Sequence, residues 1–487
     1  MFTHVKGMTM SMKKSFRRIA LPFLITVAAT ILLSAEPYDR YFTDSTMRID
    51  VYHSGTKGAE SFTLDKVYHE GPWPGSRRNL TDTLNLGEYL VRVFDFSTNT
   101  MIFSRGYSTM FNEWQTTDEA VTSSRTFHET IRLPYPKSKV EVSISRRDKH
   151  MIFQELYTVS VDPSASAEVH RDLSPFPYDV ITLMENGPSS EKVDVVIVGD
   201  GYRKADLEKF RKDAKHYNEV MFSTSPFKEH KGDFNVRAIE VISKDSGIDK
   251  PDKNIWKTTA LGTRYYTFGS ARYVLTDENK ALRDIIDHVP YDFVLILLND
   301  NRYGGGGIYN LYSTCFTRTD VPGLEWQMDY VYVHEFGHCF GGLGDEYYSS
   351  QVAYNDFYPK GVEPWEPNLT ALTDPDHLKW KQFIDPDVPV PTPWDKSRYD
   401  SLERERGKLD RLAPDYYKKR EPLYQAEQKI LKESKYAGKV GAFEGAGYAS
   451  EGIYRPAIDC RMFSLSLIGF DPVCSAAITR VINFYSH

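Results

Sequence analysis

The chain has 487 residues, enough for two to three domains with real cores, and its 41% hydrophobic and 26% charged residues are those of a globular protein. This composition excludes a disordered chain, a collagen-like fibre and a multi-span membrane protein. Residues 1–35 carry five basic side chains and no acidic one; the remaining 55 basic against 67 acidic residues give −12, so nucleic acid is excluded as an electrostatic partner and anionic lipid exerts no net pull.

Lys13, Lys14, Arg17 and Arg18 precede an apolar run of 15 residues, Ile19 to Leu33, and Ser34-Ala35 offer small residues for cleavage. This pattern predicts a signal peptide over residues 1–35, because the run is shorter than the roughly 18 residues a membrane span needs. The expected location is outside the cytoplasm: secreted, periplasmic or at the cell surface, with no stable membrane span. Export permits disulfides among the four cysteines. Cys460 and Cys474 are the closest pair; Cys315 and Cys339 are the others, and all three pairings and free buried thiols stay open.

Residues 36–165 read as all-β. Short alternating runs such as Met47 to Tyr52, Tyr89 to Phe94 and Val140 to Ile144 are separated by turn residues, which predicts a β-sandwich. Asp162-Pro163-Ser164-Ala165-Ser166 opens a looser linker. From residue 185 to 487 strands alternate with helices: Val193 to Gly201 is a buried strand ending in a glycine turn, Ala205 to Val220 a helix, and Asp292 to Leu298 a second core strand. Residues 397–436 are charged and helix-compatible, broken by Pro414 and Pro422, and are expected as a surface helical insertion with a solvated face. The fold class is therefore α+β multidomain, a β-sandwich followed by an α/β domain.

Gly199-Asp200-Gly201 lacks the third glycine of a dinucleotide fingerprint, since position 204 is Lys204. The run Gly304 to Gly307 lacks the Gly-Lys-Ser/Thr ending of a phosphate loop, and four glycines instead suit a backbone that another chain approaches closely. Asn368-Leu369-Thr370 is a glycosylation sequon only where the source modifies such sites.

His334-Glu335-Phe336-Gly337-His338 carries the strongest chemical signal. Two histidines at i and i+4 share one face of a helix and can reach one Zn²⁺, while Glu335 points beside the metal as a general base. Gly341, Gly342 and Gly344 end the helix, and Asp345-Glu346 then supply carboxylates where a third ligand is needed.

The segment His334 to Tyr347 resembles the IgA-peptidase-like M64 family of secreted zinc metallopeptidases. So do Val198 to Tyr202, Ser225-Pro226-Phe227, Phe234-Asn235-Val236, Arg302 to Gly307, Phe443 to Tyr448, and Tyr454-Arg455-Pro456 leading to Cys460-Arg461-Met462. Residues 36–160, with Phe111-Asn112-Glu113-Trp114-Gln115, are similar to the N-terminal domain of bacterial members. The resemblance implies a metzincin-like catalytic domain with one catalytic zinc ion, a methionine turn at Met462, and hydrolysis of peptide bonds by a zinc-activated water with Glu335 as base. The usual metzincin third ligand falls on Gly344, which cannot ligate; the family pattern carried over points to Asp345, with Glu346 as alternative and His377 as a distant one. Whichever carboxylate does not ligate is expected to cap the turn or bond a ligand histidine. Gly304, Gly305, Gly306, Tyr448 and Tyr454 are candidate substrate-cleft residues, the glycine run as a rim where an extended substrate adds as a strand. A protein or peptide is the expected substrate, with host glycoproteins, mucins and dietary protein all open, and a glycan or protein contact through the N-terminal domain. Two rival readings are a surface binding protein with a vestigial zinc site and a zinc amidase acting on a non-peptide or cell-wall amide.

Overall fold

The computed structural model describes residues 38–171, 176–320, 322–348, 357–409 and 415–487. The expected signal peptide and Pro414 lie outside them. Residues 35–487 make one compact unit.

After a single turn, α1 (Tyr38–Tyr41), the N-terminal region forms two four-stranded sheets from β1 (Phe42–Thr56), β2 (Ala59–Glu70), β3 (Tyr89–Asp95), β4 (Met101–Tyr107), β5 (Arg125–Pro136), β6 (Val140–Arg147), β7 (Phe153–Val161) and β8 (Val169–His170). Their orders are β5-β1-β2-β8 and β4-β3-β6-β7. Alternation does the work: in β3, Tyr89, Val91 and Val93 are buried while Leu90, Arg92 and Phe94 are partly exposed. Those inward residues meet Met47, Ile49 and Val51 of β1 and Ile131 and Leu133 of β5 in one core between the sheets. The chain beyond Asp162, expected as a linker, first returns to the sheet, where Val169 of β8 pairs in parallel with Val67 of β2.

Part of the outer face of the β5-β1-β2-β8 sheet is buried too. Arg48, 1% exposed, is bidentate to Asp50 at 2.9 and 2.7 Å and reaches Asp284 at 2.8 Å across the boundary. Arg132 donates to the Tyr291 carbonyl at 2.8 Å and stacks on its ring. Two short helices, α2 (Met110–Trp114) and α3 (Glu119–Thr122), complete this contact. A reciprocal cap joins Thr109 and Asn112 at the start of α2, whose Phe111 and Trp114 enter a core shared with the second region.

The second region is built on a six-stranded sheet from β9 (Val180–Met184), β10 (Val193–Asp200), β11 (Phe234–Ile239), β12 (Phe293–Leu298), β13 (Gly305–Ile308) and β14 (Tyr312–Phe316), in the order β13-β14-β12-β10-β11-β9. The inner four strands are parallel; β9 and β13 run antiparallel at the edges. Every residue of β10 and β12 is buried, which explains their unbroken apolar runs: both faces are covered. Val193, Val195 and Ile197 join one core with α4 (Leu207–Met221), while Val196 and Val198 join the other with α5 (Asn279–Ile286), the helix that also lies against β5. Helix α4 begins two residues later than its sequence pattern suggests, because Lys204–Asp206 form a 3₁₀ turn. The glycine turn after β10 has a structural use: buried Asp200 accepts from the backbone N–H groups of Leu261 and Thr263 and the hydroxyls of Thr259 and Thr263, anchoring that loop.

Across the first face lies α6 (Trp326–Gly341). Next come α7 (Lys396–Gly407) and α8 (Tyr416–Glu433), the hairpin of β15 (Phe443–Ala446) and β16 (Ala449–Arg455), and α9 (Pro472–Ser486). Two expectations for the charged segment fail. Pro422 does not break α8, because one proline removes one ladder bond and the helix is held by buried Ile430 and Leu431. Nor are its charges all solvated: Glu403 and Glu427 are buried around Arg406. Among the described residues no helix is long and apolar enough to cross a membrane.

Candidate active site

Helix α6 ends where its glycines require. Gly342 sits at φ +61°, the left-handed region open to glycine, and its N–H donates to the His338 carbonyl while Leu343 N–H reaches back to Gly337. The chain reverses there, and Gly344 passes so close to Leu369 that a Cβ would lie 2.4 Å from its Cδ1. Asn368 clamps this turn, donating to the Gly344 carbonyl and accepting from the Gly344 N–H, at 2.9 and 2.8 Å. Being fully buried, Asn368 is no glycan acceptor in the folded chain.

The reversal carries Asp345 back over the two histidines. His334 Nε2 and His338 Nε2 stand 3.2 Å apart, and Asp345 Oδ1 lies 3.0 and 3.3 Å from them. Both Nδ1 atoms face backbone carbonyls: His334 faces Arg461 O at 3.1 Å and His338 faces Leu343 O at 2.6 Å. A carbonyl only accepts, so each Nδ1 carries a proton and each Nε2 is left pointing inward, where a metal ion would displace any proton it holds. Three potential ligand atoms then face one point, and Asp345 Oδ1 is buried with no hydrogen-bond partner among the described residues. Ligands about 2.0–2.1 Å from a tetrahedral zinc stand about 3.3 Å apart, so this set fits such an ion.

Supports surround the set. Tyr448 Oη donates to Asp345 Oδ2 at 2.6 Å, and the Gly447 N–H donates to the Asp345 carbonyl, so the β15–β16 turn holds this carboxylate. Tyr330 Oη donates to the same Arg461 carbonyl that holds His334. Met462 is fully buried beneath α6; a Cβ on Gly337 would lie 3.2 Å from its sulfur, so glycine there admits the thioether. Burial works against a charge on His338, but the Asp345 carboxylate raises its pKa to about 9. Burial would likewise raise the Asp345 carboxyl, yet the histidines hold it well below the usual range. Burial pushes the Glu335 carboxyl up, against the pull of both histidines, and no hydrogen bond to this carboxylate is present among the described residues.

These groups open into a cleft of about 550 Å³. Gly304, Gly305 and Tyr448 line it; Gly306 and Tyr454 do not. Gly306 faces the Tyr273 ring, and Tyr454 is committed to a backbone pair with Thr370 on the far side of the hairpin. The glycine run answers to the protein's own packing: a Cβ on Gly307 would lie 2.1 Å from Glu335 O, and one on Gly305 2.8 Å from Val331 Cγ1. The outer backbone edge of Gly305 is also taken, its N–H by Arg272 O and its carbonyl by Val274 N–H, so a substrate strand does not add at that residue.

Glu346 neither caps the turn nor bonds a ligand histidine; it points away, toward Cys474. His377 is exposed and paired with Asp374. Sequence reasoning missed Arg272, and it gave Tyr347 no role although that residue closes the segment that carries the family resemblance. The Arg272 Nη2 donates to Tyr347 Oη at 3.0 Å on the cleft wall, and the Tyr347 ring stacks on His334. Arg272 belongs to no spacing pattern, so only the fold brings it to Tyr347.

Two family models match the chain: one described as IgA Peptidase M64 over residues 181–482, and one described as Peptidase M64 N-terminus over residues 37–158. No curated protein matches it.

Proposed function

Because the chain belongs to the IgA peptidase M64 family, we propose that it is a zinc-dependent endopeptidase, with His334, His338 and Asp345 as metal ligands and Glu335 as general base. The family is one of peptidases, so a protein or peptide is the substrate class. The reading rests above all on the three inward-facing ligand atoms of His334, His338 and Asp345, a geometry a closed structural site does not need beside an uncommitted glutamate.

Zinc held there supplies a Lewis acid and a nucleophile at neutral pH. The rest is done by the chain. Glu335 takes a proton from the attacking water and delivers it to the leaving amine, a task suited to a carboxyl whose pKa burial has raised. Tyr448 and the two backbone carbonyls fix the ligand atoms in place. Arg272 sets a fixed positive charge in the cleft, where it favours negative charge developing on the substrate carbonyl. The reversal after Gly342 and the methionine packed against Gly337 of α6 support a metzincin-like arrangement, and residues 1–35 support export of the mature chain.

The test is metal content and peptide-library cleavage of the 36–487 chain beside Glu335→Ala. Metal in both proteins with cleavage only by the unsubstituted chain is the expected result. Metal in both with cleavage by neither removes the peptidase reading, and absence of metal removes the ligand assignment.

A further inference from the structure

Glu346, Cys460, Asp471 and Cys474 converge below the catalytic cluster, each at most 6% exposed. Their ligand atoms all lie within 4.8 Å of one another. Cys460 Sγ and Cys474 Sγ are 3.9 Å apart, close to the roughly 3.8 Å between two thiolates on one tetrahedral zinc. Cys474 Sγ is 3.3 Å from Glu346 Oε1.

The carboxylates make the stronger argument. Asp471 uses Oδ1 to cap α9, accepting from Val473 and Cys474 N–H, which leaves Oδ2 buried without a partner among the described residues. Glu346 accepts from Asn368 through Oε1, and its Oε2 is likewise buried and unpartnered. Two buried carboxylates with orphan oxygens are costly as anions unless a cation or a proton meets them, and a single proton would leave one of the pair charged beside two thiols. Arg455 is near, but its terminal N–H groups go to the carbonyls of Gly445 and Ile458. A disulfide between the cysteines would satisfy neither orphan oxygen. A thiophilic divalent ion would satisfy both and both sulfurs.

We propose that Glu346, Cys460, Asp471 and Cys474 form a second, structural metal site for a divalent cation of the zinc class. Four protein ligands leave no open position, as in structural zinc sites, and binding releases the thiol protons. The ion ties together the three segments that shape the catalytic cluster: the turn after Asp345, the stretch leading to Met462, and the first turn of α9. Glu346 N–H already donates to the Met462 carbonyl at 2.9 Å. The assignment stands apart from the peptidase reading, since it shares no ligand with that site.

The test uses the full chain with reduced thiols, loaded with Co²⁺ as a probe, in a His334→Ala/His338→Ala background that removes the first site. The expected result is a single equivalent of bound cobalt with a thiolate-to-cobalt absorption band, lost on adding Cys474→Ser. X-ray absorption of the zinc-loaded protein should show sulfur at about 2.3 Å. Because the cysteine variant can unfold the chain, thiols are also titrated in the denatured, unsubstituted protein without reductant. Reaction of all four cysteines agrees with the proposal. Protection of Cys460 and Cys474 until reductant is added reveals a disulfide and overturns it, as does cobalt bound without a thiolate band, or no cobalt bound by a folded double variant. Success or failure here leaves cleavage by the unsubstituted chain, and so the peptidase reading, untouched.

Discussion

Gly307→Ala separates two reasons for the glycine run. If the glycines serve substrate approach, a methyl group there lowers turnover and leaves the fold alone. The structure says otherwise: the new Cβ would lie 2.1 Å from Glu335 O and 3.1 Å from His338 Cβ. A carbon–oxygen contact needs about 3.3 Å, so strand and helix must part by roughly 1.2 Å. The atom in the way is backbone, and β13 is held by β14, so no flexible side chain absorbs the shift. Overpacking of this kind costs about 3 kcal/mol. With about 2.1 cal/mol/K of unfolding entropy per residue, that lowers the Tm of a 450-residue cooperative unit by roughly 3 °C, and the urea midpoint falls in step. Gly232→Ala, where a Cβ meets nothing within 4 Å, is the matched control. Calorimetry and urea titration of both variants decide the matter: a Gly307→Ala protein as stable as the control but slow to cleave would refute the packing argument.

Three further outcomes are expected. Tyr448→Phe removes the hydrogen bond to Asp345 Oδ2 and should weaken metal binding by roughly 10-fold in a chelator competition, with little change in apparent Tm. Chelation should lower the apparent Tm and excess zinc restore it, with a dependence on free metal that follows mass action; a Tm indifferent to metal would contradict a folded-state site. The third concerns His53, stacked between Phe62 and Phe111 with Glu129 and Glu60 on its two nitrogens. Burial opposes its charge, but Glu129 and Glu60 raise its pKa above the unfolded value of about 6.5, so its contribution to stability is full below that pH and is lost as pH rises through the folded value. Burial would raise Glu60, yet His53 and Arg146 lower it to about 2, so its contribution is present above about 4.5 and is lost as pH falls toward 2. Urea midpoints of the chain should therefore decline from pH 6 to pH 9 and flatten in His53→Gln; an unchanged slope in that variant would remove the triad as its source.

Much of the scaffold was readable one segment at a time. The unbroken apolar runs of β10 and β12 announce strands covered on both faces, and the alternation of β3 announces one buried face. The outer face of the β1 sheet was not readable, because Arg48 and Asp50 look like solvent-facing residues until α5 brings Asp284 against them. Pro422 misled for a similar reason, since packing holds α8 through a residue that local propensity disfavours.

The amino-acid sequence determined what depends on neighbours along the chain: the i, i+4 histidines on one helical face, the glutamate between them, and the glycine that stops the helix at Gly342. Residue type alone does not separate Asp345 from Glu346, which are adjacent and chemically alike, and only the family resemblance pointed to Asp345. The tertiary fold sets their positions, because the turn sends successive side chains opposite ways, Asp345 up to the imidazoles and Glu346 down to the cysteines of a segment more than a hundred residues later. Arg272 reaches the cleft in the same way, through a contact with Tyr347 made by chain folding and not by spacing.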